Sequence, residues 1–280
     1  MAASGESSEP ASVSQSQVRS PESADFVREL RTLRLTDPLR WLGAGWTDLA
    51  AARGIALFYG ICFWLMALVL GAVFRNKPEY TMSFVSGCFL LGPFLAMGLY
   101  EVSRRREQAL PQSLGASLTC WDRHLGSMGM LVLVLMLLEL LWGRASLVVF
   151  AVFFNTGMPT TASVLEAIFN PQNWQFVAVY VVVGGIFAGL VFSTCVVSIP
   201  MILDRDTDAV SAGVASLQAV AGRTGPLLVW GALIVLLVLG ALLLPWFLGL
   251  IVVGPWIGHA TWHAYRGCFA WRQAGSMESA

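Results

Sequence analysis

Hydrophobic positions in this chain fall into long runs without a charge, separated by short stretches where polar and basic residues collect. The run over 55–74 has twenty residues and no charge, enough for a helix to cross the roughly 30 Å hydrocarbon layer of a bilayer. Comparable runs predict spans over 81–102, 126–147, 174–203, 226–244 and 247–265. The third stays apolar as far as Phe154, longer than one crossing needs, so it is expected either to tilt or to end near Trp142 and continue along the interface. Residues 226–266 are too long for one crossing, and Pro245-Trp246 divides them.

Between the runs the pattern turns amphipathic. Residues 22–35 set Phe26, Val27, Leu30 and Leu33 on one helical side and Arg28, Arg31 and Arg34 on another. This suits a basic helix lying on anionic lipid, or alternatively a solvated helix or linker. Trp41, Leu42, Trp46 and Leu49 oppose Arg40, Asp48 and Arg53, which predicts an interfacial helix anchored by tryptophan. Residues 111–124, with Leu114, Leu118 and Trp121 on one face, predict a second. Residues 208–222 predict a third, with Asp206 or Asp208 as its cap. TASVLEAIF at 161–169 is a further short candidate.

These elements predict an all-α integral membrane protein with six transmembrane helices and interfacial amphipathic helices. Residues 1–21, polar and low in complexity, read as a disordered tail. Residues 22–53 form a cytoplasmic amphipathic segment, 54–267 the six-span membrane domain and 268–280 a cytoplasmic tail. Composition agrees: 56% of residues are hydrophobic and 12% charged, against roughly 25% charged in soluble domains. No basic n-region leads at once into an apolar stretch, so the first span is expected to act as its own insertion signal. Fourteen Lys and Arg lie in the N-terminal region, the 103–124 and 204–223 loops and the C-terminus, two lie near residue 76, and Arg144 lies within a span. The positive-inside rule therefore puts both termini in the cytoplasm. Cysteines 62, 88, 120, 195 and 268 stand singly, with neither a disulfide framework nor zinc spacing.

Spans two, four and six each carry a proline, at Pro93, Pro200 and Pro255, and each follows an interfacial helix and an unbroken span. A cationic or potentially cationic side chain closely followed by glycine opens the first span of each pair: Arg53-Gly54, His124-Leu125-Gly126 and Arg223-Thr224-Gly225. The chain thus reads as three copies of one helix-hairpin unit. Aligning the prolines puts Met97, Asp204 and His259 four residues on, and Glu101, Asp208 and His263 eight residues on. Positions i, i+4 and i+8 share a helix face, so threefold packing would bring Glu101, Asp208 and His263 within about 10 Å of one another. Glu101, Asp208, His259 and His263 are the ligand types of a divalent metal site or a proton relay. The competing reading makes them polar residues where helices leave the membrane, with Asp208 a cap and Trp262, His263 and Tyr265 part of an aromatic belt.

Glu139 and Arg144 are the charged residues within the third apolar run. A charge at the bilayer centre costs at least ~2.5 kcal/mol unless it is paired or hydrated. Their spacing turns them about 140° apart on one helix, so each is expected to meet another helix or water. HATWH at 259–263 has the spacing of two zinc-binding histidines but Trp where the metalloprotease pattern needs Glu. No Walker loop, dinucleotide fingerprint or nucleophile elbow occurs.

The stretches VRELRTLRLTDPLRWLGAGWTDL, FLLGPFLAMGLYEVSRRRE, VVSIPMILDRDTDAV and GHATWHAYR resemble a bacterial family of integral membrane proteins, some members of which carry a cytochrome c oxidase label. The resemblance spans about residues 26–268 and implies the inner membrane, but it marks no catalytic residue. A haem-copper catalytic subunit needs more histidines than His124, His259 and His263. His259 and His263 project from one helix side, so they cannot clamp one haem from both faces; a single axial ligand stays open. The function expected is therefore that of a non-enzymatic assembly, lipid-contact or regulatory component. Its partners would be membrane lipids and a second copy or a membrane complex, with no cofactor and no nucleic acid. The alternative is a small transporter or channel using Glu139 and Arg144, and an accessory oxidase-type subunit with a ligand at His259 or His263 ranks below both.

Overall fold

The computed structural model describes residues 26–77, 80–154 and 170–273, so the tail at 1–21 and the short helix expected at 161–169 lie outside the described residues. Two compact units divide the chain, Met1–Glu29 with Trp271–Ala280, and Leu30–Ala270. In the first, residues 26–29 and 271–273 belong to strands β1 (Phe26–Leu30) and β2 (Phe269–Gln273), which pair as a two-stranded sheet. The basic helix expected over 22–35 is therefore corrected to a strand at Phe26–Leu30. A lone amphipathic stretch of this length is marginal as a helix, whereas a paired strand satisfies its backbone groups.

The second unit is helical. Helix α1 (Asp37–Ala51) leads into α2 (Arg53–Asn76), α3 (Thr81–Glu107) and the short α4 (Leu114–Thr119). A 3-10 turn at Asp122–His124 then opens α5 (Leu125–Phe153). After α6 (Trp174–Cys195) and α7 (Ser198–Arg205) come α8 (Ala209–Gly222), α9 (Thr224–Leu243) and α10 (Leu250–Cys268). Among the described residues, five helical segments are long and apolar enough to cross a membrane: Arg53–Asn76, Ser83–Glu107, Leu114–Phe153, Trp174–Arg205 and Thr224–Leu243. Large apolar side chains stand exposed on their outer faces, among them Leu65, Leu137, Val181, Ile186 and Leu236. Lipid is the surroundings in which such faces are stable, and the chain is a multi-pass α-helical membrane protein.

Three local outcomes follow from chemistry along the chain. Helix α5 runs unbroken to Phe153, about 43 Å at 1.5 Å per residue, so residues 143–153 continue the third run as helix. The fourth run, expected as one piece over 174–203, is broken between Cys195 and Ser198. Pro200 has no N–H to return to the preceding turn, and the Val197 N–H donates sideways to Ser216 Oγ at 3.2 Å. The division at Pro245-Trp246 falls on a tight turn in which Trp246 and Phe247 take φ of 58° and 60°.

Helix α10 lies at the heart of the unit, packed by α1, α2, α3 and α9. Its first half is apolar and its second carries His259, Thr261, Trp262, His263, Tyr265 and Arg266, which keeps it below the apolarity of the five candidate spans. Helix α1 meets it through Leu42 and Trp46 at Trp256, Gly45 at Ala260, Asp48 at His263 and Trp41 at Gly267. A Cβ at Gly45 would stand 2.6 Å from the Ala260 nitrogen, and one at Gly60 of α2 would strike the Ile251 carbonyl, so both crossings require glycine. In the same way α4 packs on α3, and α8 packs on α7.

Candidate functional site

The polar chemistry gathers where α3 and α10 end. Asp48 projects from the buried side of α1, one turn beyond Gly45 and two beyond Trp41, and is 5% exposed. Arg106 Nη1 of α3 donates to its Oδ1 at 2.6 Å, and His263 Nε2 of α10 donates to its Oδ2 at 2.9 Å. Burial raises the Asp48 carboxyl, but hydrogen bonds from His263 and Ser103, with the charges of His263 and His259, outweigh it and hold the group below its ordinary range. Ser103 Oγ also lies 2.8 Å from His259 Nδ1. The other ring nitrogen, His259 Nε2, is fully buried and without a hydrogen-bond partner among the described residues.

A second network lies beside the first. Glu107 Oε1 accepts from Arg266 at 2.7 Å, and its Oε2 accepts from Trp262 Nε1 at 3.1 Å. Asp204 Oδ2 accepts from Tyr265 at 2.8 Å and pairs with Arg205 at 3.2 Å and Arg266 at 3.8 Å. Together these bonds tie α1, α3, α7 and α10 into one polar end.

Glu101, Asp208 and His263, expected to converge, are each bonded to a different partner. Glu101 pairs with Arg104 at 2.7 Å and Arg105 at 3.9 Å on its own helix, and His263 pairs with Asp48. Asp208 stands exposed beyond the end of α7 and caps α8, its Oδ2 accepting from the Ser211 N–H at 2.9 Å. That bond holds its carboxyl below the usual range. Asp206, at φ 51°, ends α7, so the stripe that continues through α3 and α10 stops short of Asp208. Among the described residues no group of three or more His, Cys, Asp or Glu could hold a metal ion, the quartet Glu101, Asp208, His259 and His263 included. His124, the third histidine, pairs with Asp206 at 3.0 Å.

Glu139 and Arg144 part as their spacing predicts. Arg144 is exposed. Glu139 is 3% exposed, and its Oε2 accepts from Ser86 Oγ of α3 at 2.8 Å, while its Oε1 is buried without a hydrogen-bond partner among the described residues.

Asp48, Ser103 and Arg106 are the residues that sequence reasoning missed. Asp48 reads as the polar side of an interfacial helix, yet Trp41, Gly45 and Asp48 are spaced for one face, and that spacing was the available signal.

No curated protein and no solved structure matches the chain. Residues 81–204 match the family described as Predicted integral membrane protein (DUF2189), a stretch holding GPFLAMGLYEVSRR and most of VSIPMILDRDTD, and over it the chain is similar to that family of integral membrane proteins.

Proposed function

We propose that this protein is a non-enzymatic component of the bacterial inner membrane that acts in assembly, lipid contact or regulation, with six spans and both termini cytoplasmic. The observation that carries this reading is the use made of its polar groups. Asp48, Arg106 and His263 bond to one another, as do Ser103 and His259 and also Glu107, Arg266, Asp204 and Tyr265, and large apolar side chains face outward. Purification in mild detergent, followed by mass spectrometry of what accompanies the protein, tests it. Lipid, a second copy or a partner protein is expected. A stoichiometric metal or haem that disappears in His259→Ala would replace this reading with the accessory oxidase one.

Two hydrogen bonds support the threefold arrangement of hairpin units. His259, four residues after Pro255, bonds to Ser103, ten after Pro93, and Asp204, four after Pro200, bonds to Tyr265, ten after Pro255. Both bonds are 2.8 Å and follow one rule around a ring of three. The interfacial helices follow it as well, since α8 packs on the preceding unit's α7, α4 on α3, and α1 on α10, which closes the ring. In this arrangement α10 is the sixth span. Reporter fusions check the topology: after Arg106 or Arg223 they should report the cytoplasm and after Gln172 the periplasm, and the reverse pattern would overturn it.

A small transporter or channel is the second reading, favoured by one observation. Glu139 is a carboxyl buried inside the apolar part of the bundle, with a neutral hydroxyl as its partner.

A further inference from the structure

We infer that Glu139 and Ser86 form an intramembrane site whose ligand is a proton. The inference rests on the transport reading and names the substrate class of that site.

Position comes first. Glu139 is the middle residue of α5, with fourteen helical residues on either side, or about 21 Å of rise each way. Ser86 lies in the first turns of α3, so the two helices meet at the pair from opposite chain directions. Ser86 Oγ donates to one carboxyl oxygen, and the other is buried with no hydrogen-bond partner among the described residues. An ionised carboxylate held by one neutral hydroxyl in an apolar layer is costly, and a proton on the open oxygen removes the charge and turns an acceptor into a donor.

Among the described residues, the charges on the elements packed on α5 are paired elsewhere or exposed, including the turn at Asp122–His124, where Asp122 and Arg123 are exposed and His124 pairs with Asp206. Arg144 projects about 140° away on the same helix and is exposed. Of the elements packed on α5, α8 carries no ionisable side chain, and α7 carries Asp204 and Arg205, which pair with each other. Helix α6 carries Tyr180 and Cys195, and α3 carries Cys88 together with Glu101, Arg104, Arg105, Arg106 and Glu107. Those five charges are engaged in the pairs at the far end of α3. Sequence register adds an independent argument. Counting thirteen residues on from Gly54, Gly126 and Gly225 gives Ala67, Glu139 and Val238. The corresponding positions of the other two units are apolar and partly buried, so packing of such a unit does not call for a carboxyl.

A hydrophobic carbodiimide, which adds to protonated carboxyls in apolar surroundings, tests the site on the full-length protein in detergent and in proteoliposomes. Peptide mass spectrometry should find Glu139 modified at least tenfold faster than the ion-paired Glu101 and Glu107, with no modification at that position in Glu139→Gln. Ser86→Ala should change the rate at Glu139 several-fold. A folded protein in which Glu139 reacts no faster than Glu101 overturns the proposal, and so does protection by sodium or potassium ions, which would make the ligand a metal cation. Glu139→Leu, expected to keep the elution and melting behaviour of the parent, guards against a folding artefact. Proton flux in the same proteoliposomes, followed with a pH-sensitive dye, is expected to depend on Glu139. Fast modification without flux leaves the site standing and removes the transport reading.

Discussion

Asp48 and Glu139 are both carboxyls removed from solvent, at 5% and 3% exposure, yet their surroundings differ in kind. Asp48 has a guanidinium and an imidazole within bonding distance, supplied by α3 and α10. Glu139 has the Ser86 hydroxyl and an open oxygen. Burial alone therefore says little about what a carboxyl does. Compensated charge, as at Asp48, holds three helices in register, whereas an uncompensated carboxyl contributes little to packing and is free to exchange its ligand.

The contrast is broken most directly at Asp48. Asp48→Ala leaves Arg106 and His263 without their shared acceptor, and one-sided removal of a buried pair should cost about 3 kcal/mol, read as the loss of thermal stability in detergent. A loss under about 1 kcal/mol would show that the network is ornamental. Ser103→Ala removes the hydroxyl bonded to His259 Nδ1 and should cost about 1–2 kcal/mol, since it leaves a buried ring nitrogen without its partner.

Acid sharpens the same comparison. The folded Asp48 carboxyl lies below its ordinary value of 3.8, so the unfolded chain binds its proton first. The stability it confers is present above about 3.8 and is lost as pH falls through the lower folded value. Asp48→Asn should lack this part of the acid dependence, and a variant that melts with the parent's profile at every pH would contradict the assignment. The smallest effect belongs to Glu139→Leu, which should change stability by no more than about 0.5 kcal/mol in either direction. Replacing a half-satisfied polar contact by an apolar one is close to neutral. A large loss there would make Glu139 structural like Asp48 and would erase the distinction.

Much of the architecture was legible along the chain because it depends on properties local to a segment. Twenty uncharged residues at 55–74 form a helix in lipid whatever their neighbours, since the backbone has no other way to satisfy itself there. Asp208 caps α8 and Pro245-Trp246 ends α9 through contacts within a few residues, so both could be read directly. The five-residue offset of Glu139 and Arg144 placed them on different faces before any fold was known, and one is buried while the other is exposed.

Partners across the bundle could not be read in this way. Periodicity tells which face of a helix is buried but not which helix will cover it, so Asp48 looked like a surface residue until α3 and α10 closed over it. Phe26–Leu30 has a helical hydrophobic pattern and becomes a strand because Phe269–Gln273, far away in sequence, offers a backbone to pair with. The stripe implied by aligning Pro200 with Pro93 and Pro255 stops at Asp206, whose left-handed backbone ends α7, and Asp208 caps α8 instead. Ser86 met Glu139 for no cause visible in either segment. Hydrogen bonds between distant helices depend on how whole faces pack, and that is decided when the apolar surfaces of all the helices are matched at once.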